Sequence, residues 1–202
     1  MIETEAKFSV PDSETFDALR QLTRVGPFEL QPLGVKQVTD RYLDTPDHRF
    51  LAANTAFRLR QSGGRQIATL KSLTPASDAV HRRQEFEAEV PSAQPESWPD
   101  SQVKTMVREI SAGRELSVLF VIKQTRHKFQ TLLAGQPVIE FSLDEVRLTE
   151  DGPVDYLELE AELIGGGTEE MLAQFVAELE AEWSLPGEKR SKFERAFAAS
   201  QK

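Results

Sequence analysis

The chain has 202 residues, 39% hydrophobic and 28% charged, with a formal net charge of −9, which is enough for one large domain or two small ones and argues against general nucleic-acid binding. It has no cysteine and three histidines far apart in sequence, which excludes disulfides and thiolate sites and points any metal site towards carboxylates. No apolar run approaches the roughly 20 residues that span a bilayer, and the opening Met1-Ile2-Glu3-Thr4-Glu5 carries acid where a secretory signal carries base, so the chain reads as cytoplasmic with no membrane partner.

Ile2 to Val10 alternates sharply, with Ile2, Thr4, Ala6 and Phe8 on one side and Glu3, Glu5 and Lys7 on the other, and predicts a strand. Pro11-Asp12-Ser13 offers a turn and an N-cap. A helix is expected through Phe16, Leu19, Leu22 and Val25, closed by Gly26-Pro27. A second strand is predicted from Val35 to Leu43, then the turn Asp44-Thr45-Pro46-Asp47 and a short helical turn to Ala53. Ala56 to Gln61 and Gln66 to Ser72 read as a hairpin about Ser62-Gly63-Gly64-Arg65. His81 to Val90 is another alternating strand, followed by a proline-rich loop from Pro91 to Pro99 and a helix from Gln102 to Ala112. Three further strands, Leu116 to Leu133, Pro137 to Leu148 and Val154 to Leu163, precede a Gly165-Gly166-Gly167 turn. A helix from Thr168 to Trp183 and a last helix from Ser191 to Ser200 complete the chain. About eight strands joined mostly by hairpins predict an antiparallel α+β fold. With no repeat and no linker, the expectation is one domain over 1–202.

Charge is sorted along these strands. Glu3, Glu5 and Lys7 share a face; Arg58 and Arg60 share one, as do Thr69 and Lys71; Arg83, Glu85 and Glu87 align, as do Arg126 and Lys128, Glu140, Ser142 and Asp144, and Glu158, Glu160 and Glu162. Like charges at i and i+2 repel, and an ordinary solvated sheet gains little from such sorting. A barrel closed with these faces inward would gain a polyanion site. Glu3/Glu5 and Glu158/Glu160 would hold hard divalent cations, Arg58 and Arg60 would grip phosphate oxygens in bidentate fashion, and Lys7, Lys71 and Lys192 would add point charges.

The ordered series resembles the CYTH family, the triphosphate tunnel metalloenzymes. Glu3-Thr4-Glu5-Ala6-Lys7 matches its E-x-E-x-K opening, and Tyr42-Leu43-Asp44-Thr45-Pro46-Asp47, Ala56-Phe57-Arg58-Leu59-Arg60 and Ala68-Thr69-Leu70-Lys71 resemble its next elements. Arg83-Gln84-Glu85, Arg126, Asp144, Leu157-Glu158-Leu159-Glu160 and Ser191-Lys192-Phe193 follow in order. The resemblance implies an eight-stranded antiparallel β-barrel tunnel with helices packed outside, and the overall pattern looks most like the bacterial inorganic triphosphatase branch.

The expected activity is therefore metal-dependent hydrolysis of inorganic triphosphate to phosphate and diphosphate, by water activated on Mg²⁺ or Mn²⁺. The alternatives are a class IV-type adenylyl cyclase acting on ATP, a thiamine triphosphatase, and a polyphosphate- or nucleotide-binding module without turnover. The expected metal ligands are Glu3, Glu5, Asp144, Glu158 and Glu160. The expected triphosphate ligands are Lys7, Arg58, Arg60, Lys71, Arg83, Arg126 and Lys192, with Glu85, Lys128 and Lys189 in a second tier. The partner is a small polyanion, triphosphate or a nucleoside triphosphate; oligomeric state is left open. Asp44 and Asp47 read as turn formers, Glu87 and Glu162 as solvated or rim residues, and His48, His81 and His127 as surface residues.

Overall fold

The first alternating segment forms β1 (Ile2–Val10) in a computed structural model that describes residues 2–73, 80–149 and 151–201. After it come α1 (Ser13–Leu19), β2 (Arg24–Val25), β3 (Phe28–Asp44), α2 (Arg49–Ala52), β4 (Thr55–Ser62), β5 (Arg65–Ser72) and β6 (Val80–Glu89). A 3-10 turn (Pro95–Ser97), α3 (Gln102–Ser111), β7 (Ser117–Leu133), β8 (Gln136–Arg147), β9 (Tyr156–Leu163), α4 (Glu169–Glu182) and α5 (Lys192–Ser200) follow.

The sheet runs β2-β3-β4-β5-β6-β1-β9-β8-β7, neighbouring strands are antiparallel, and β7 pairs back onto β3 from Glu29↔Leu132 to Asp44↔Ser117. That last ladder closes an eight-stranded barrel, with the two-residue β2 appended to the start of β3. Two features differ from the sequence expectation. The first helix stops at Leu19: Leu22 still packs on the core, but Gly26, at φ 51, turns the chain so that Val25 enters β2. The second strand starts at Phe28 rather than Val35. Pro32 and Gly34 look like strand breakers, yet the register shift between them absorbs both against β7, as bulges do.

Local chemistry sets the element ends. Gly63 and Gly64 both adopt positive φ (58° and 79°) in the β4–β5 hairpin, the requirement of a tight two-residue turn. Asp12, Ser101 and Thr168 cap α1, α3 and α4 through their side chains, and Ser191 and Glu194 form a reciprocal capping box on α5. Asp44 is buried in the turn it was expected to make and accepts from the N–H groups of Thr45, Phe50 and Leu51, the last two on α2.

The strands bury both faces. Outward, Ala6, Phe8, Phe141, Leu143, Leu159 and Ala161 pack beneath α1 and α4, with Phe175 edge-on to Phe28 and Phe141 at centroid distances of 5.3 and 6.0 Å. Phe57, Leu59, Ala68 and Leu70 lie in a second cluster with Phe50, Val103, Val107 and Trp98. Phe193 and Ala196 of α5 pack on Tyr42, Ala56, Ile122 and Val146 in a third, on the inner face at one end of the barrel, where Tyr42 is in register with Arg58 and Ile122 with Asp40. The helices α1 to α4 thus cover the apolar outer side of the barrel, α5 fills one end of its interior, and the charged side chains face the remaining space. None of the described helices is long and apolar enough to cross a membrane.

Candidate active site: the charged barrel cavity

Strict alternation places every second side chain of the closed barrel in one interior space. The cavity measures about 1030 Å³, at the upper end of ligand sites, which are on the order of 300–1,000 Å³. Lys7, Lys36, Arg58, Arg60, Arg65, Lys71, Arg83, Arg126, Lys128 and Lys192 line it, with Glu3, Glu5, Glu85, Glu87, Glu140, Glu160 and Glu162. Asp40, Asp144 and Glu158 are each at most 1% exposed and contact these cations from behind the lining. The ten basic groups are therefore matched by about as many carboxylates.

Lys192 enters this space from the first position of α5. Its Nζ donates to Glu158 Oε1 and to Glu160 Oε1 at 2.6 Å, and lies 3.0 Å from Asp144 Oδ2. The capping box directs it there: Ser191 and Glu194 satisfy N–H groups at the helix start, so the lysine ammonium, not the helix terminus, presents the charge. Glu160 also accepts from Lys7 Nζ at 2.8 Å and Arg126 Nη2 at 2.5 Å. Arg126 grips Asp144 with Nε and Nη2 at 2.8 and 2.5 Å. Burial opposes charge on all these groups. Even so, the Lys192, Lys7 and Arg126 cations hold the Glu160 carboxyl well below the ordinary range, and Glu158, Glu160 and Asp144 hold the Lys192 amine above it.

A second cluster joins β1, β5 and β6. Lys71 Nζ donates to Glu3 and lies 3.7 Å from Glu5 and 3.5 Å from Glu85. Burial, outweighing Lys71, raises the Glu3 carboxyl. Glu162, on the same side, is pushed up to about 8 by burial and by Glu3, Glu5, Glu160 and Glu140. On the β3–β4 wall Arg60 makes two 2.8 Å bonds to Asp40, and Arg58 reaches Thr69 Oγ1 at 3.2 Å.

The donor set fits a hard divalent cation. Asp144, Glu158 and Glu160 each offer an oxygen, all within 4.8 Å of one another. Glu158 Oε2 and Glu5 Oε1 are buried carboxylate oxygens without a hydrogen bond, facing Arg195 Nη1 at 3.6 Å and Lys7 Nζ at 3.2 Å as ion pairs, and each keeps lone pairs free for a further cation.

Of the residues expected from sequence, Glu3, Glu5, Lys7, Arg58, Arg60, Lys71, Arg83, Glu85, Arg126, Lys128, Glu160 and Lys192 line the cavity. Asp144 and Glu158 stand immediately behind the lining, sealed by Arg126 and Lys192. Lys189 is exposed and does not reach the cavity. Lys128 pairs with Glu140 at 2.7 Å. Glu87 is a half-exposed lining residue as expected of a rim, whereas Glu162 belongs to the interior. His48 is exposed, but His81 is buried: its Nε2 lies 2.9 Å from the Glu188 carbonyl and its Nδ1 2.7 Å from Arg83 Nη2. His127 is half-buried, edge-on to Phe16 at 5.7 Å. The main interior residue that sequence reasoning passed over is Asp40. It lacks a like-charged neighbour two residues away, so the sorting of charge did not flag it; its even-numbered phase with Val38 and Tyr42 would have.

The CYTH domain model matches residues 1–197. Among solved structures, HpAC1 from Hippeastrum, described by a dominant triphosphatase activity, is 21% identical with a TM-score of 0.74, covering 98% of this chain and 95% of that one. PH1819 from Pyrococcus horikoshii is 20% identical, TM-score 0.62, covering 98% and 99%. A candidate adenylate cyclase from Bacillus halodurans is 21% identical, TM-score 0.62, covering 96% of each chain. No curated protein matches the chain significantly. At these identities the structures share the fold, and the match over residues 1–197 makes the chain a member of the CYTH family.

Proposed function

We propose that the cavity hydrolyses inorganic triphosphate to phosphate and diphosphate with Mg²⁺ or Mn²⁺. The observation that carries this reading is the near balance of charge inside the barrel. A wall of ten basic groups already matched by carboxylates accepts a small anion of high charge only together with compensating cations, and the carboxylates are the ligands for them. Glu3, Glu5, Glu158 and Glu160, with Asp144, would hold the metal. A bound divalent cation there would supply Lewis-acid charge to the phosphate and lower the pKa of a water molecule.

Lys7, Arg58, Arg60, Lys71, Arg83, Arg126 and Lys192 bind the phosphate chain from several sides and stabilise charge that develops on its oxygens, the dominant contribution in phosphoryl transfer. Glu85 and Lys128 tie the neighbouring strands into that cradle. The barrel wall and α5 keep the chain away from bulk water. No cysteine is available as a nucleophile, and water attack accounts for the chemistry without a covalent intermediate. HpAC1, with its dominant triphosphatase activity, shares the fold and supports the choice of hydrolysis over cyclisation. The test offers triphosphate, ATP and thiamine triphosphate separately with Mg²⁺ or Mn²⁺. Phosphate and diphosphate from triphosphate are expected; cyclic AMP from ATP with no phosphate from triphosphate overturns the reading.

A further inference from the structure

Asp40 is fully buried on the inner face of β3, where a lone carboxylate is expensive. Among the described residues, every hydrogen bond to its side chain comes from two residues. Arg60 gives Nε to Oδ1 and Nη2 to Oδ2, both at 2.8 Å, and Gln124 Nε2 gives to Oδ2 at 2.8 Å. Arg58 Nη1 stands 3.8 Å from Oδ2. The charge of Asp40 therefore meets Arg60 through hydrogen bonds and Arg58 as an ion pair, with Gln124 as an uncharged donor that holds the carboxylate in place.

The geometry has a directional consequence. A guanidinium presents a planar fork of donors. Asp40 takes the Nε–Nη2 edge of Arg60, and no hydrogen bond among the described residues uses Nη1. Arg60 lines the cavity, so its orientation is set while a donor pair is kept for a ligand. Gln124, itself buried, fixes the carboxylate in turn. We infer that Asp40, braced by Gln124, is a positioning residue that sets the Arg60 guanidinium for an oxyanion ligand in the cavity. The ligand class rests on the triphosphate reading above; the orientation of Arg60 does not.

The test is a double-mutant cycle on the full chain: wild type, Asp40→Asn, Arg60→Ala and the double variant, assayed with triphosphate and Mg²⁺. Asp40→Asn is expected to lower kcat/KM at least tenfold, mainly through KM, with the same loss in Arg60→Ala and no more than a further twofold in the double variant. A full multiplicative loss in the double variant would make Asp40 a general support of the barrel and overturn the inference, as would an Asp40→Asn enzyme with wild-type constants. Gln124→Leu, which leaves the charge in place, should raise KM about threefold and lose that effect in the Arg60→Ala background; this arm decides the matter if Asp40→Asn fails to fold. The same proteins titrated with Mg²⁺ and imidotriphosphate, whose P–N–P bridges resist hydrolysis, read binding without turnover. A preserved cycle in binding with no wild-type turnover would sink the hydrolase reading alone.

Discussion

The two faces of the barrel wall are built from the same strands and oppose each other chemically. On the outer face, Phe8, Phe141 and Leu159 meet the apolar sides of α1 and α4 and bury surface that drives folding. On the inner face, Lys7, Glu160 and Arg126 are equally removed from water, but burial there works against their charge and only mutual pairing offsets it. The difference separates stability from function within a single residue step: Phe8 serves the first, Lys7 the second.

The sharpest way to break this comparison is Phe175→Ala. Phe175 packs between Phe28 and Phe141, and its truncation should cost about 3–5 kcal/mol in urea unfolding while leaving kcat/KM of the folded enzyme within about twofold of wild type. Arg58→Ala is the converse: kcat/KM should fall about 10²–10³-fold, roughly 2.7–4 kcal/mol of transition-state stabilisation, with a midpoint of thermal unfolding near wild type. A large stability loss in Arg58→Ala, or a large activity loss in Phe175→Ala, would show that the two faces are not separable. Metal addition sharpens the contrast from the inner side. Saturating Mn²⁺ at about 100-fold its dissociation constant should stabilise the protein by about 2.7 kcal/mol, and Glu160→Gln should lose most of that gain; exhaustive chelation should abolish turnover.

Acid titration of wild type against Asp40→Asn isolates one inner residue. Against the cost of burial, Arg60 and Arg58 lower the Asp40 carboxyl to about 2. A depressed carboxyl contributes stability that is complete above its unfolded value, about pH 4, and is lost as pH falls through about 2. The shift is worth about 2 kcal/mol, so Asp40 should account for that much of the wild-type loss between pH 4 and 2 in denaturant titrations, beside the losses from Glu160 and Asp144. Asp40→Asn should show a flatter profile, and parallel profiles would refute the assignment. The smallest effect is expected at the surface. Arg82 and Glu169 form an exposed pair at 2.6 Å, and Glu169→Ala should leave both the urea-unfolding midpoint and turnover close to wild type.

What the sequence determined by itself was the periodicity. Alternation in Ile2–Val10, the sorting of Arg58 with Arg60 and of Glu158 with Glu160, and the Gly63-Gly64 turn are local signals, and each reappears as a strand, an inward face or a hairpin. Those signals also carried the family resemblance and most of the charged residues that line the cavity. What only the tertiary structure decided were matters of closure and depth. The β3–β7 ladder extends β3 back past Pro32 and Gly34, because a 17-residue partner strand can absorb a bulge that the local sequence reads as a break. Burial of His81 beneath Arg83, the seat of Glu158 behind Lys192 and the grip of Asp40 on Arg60 join residues tens of positions apart or more, apart from His81 and Arg83 themselves. Alternation states which way a side chain points from its strand. It cannot state which strand lies beside it, and the neighbouring strand is where many of the charges find their partners: Lys7 stands in register with Glu160, Asp40 with Arg60 and Arg126 with Asp144.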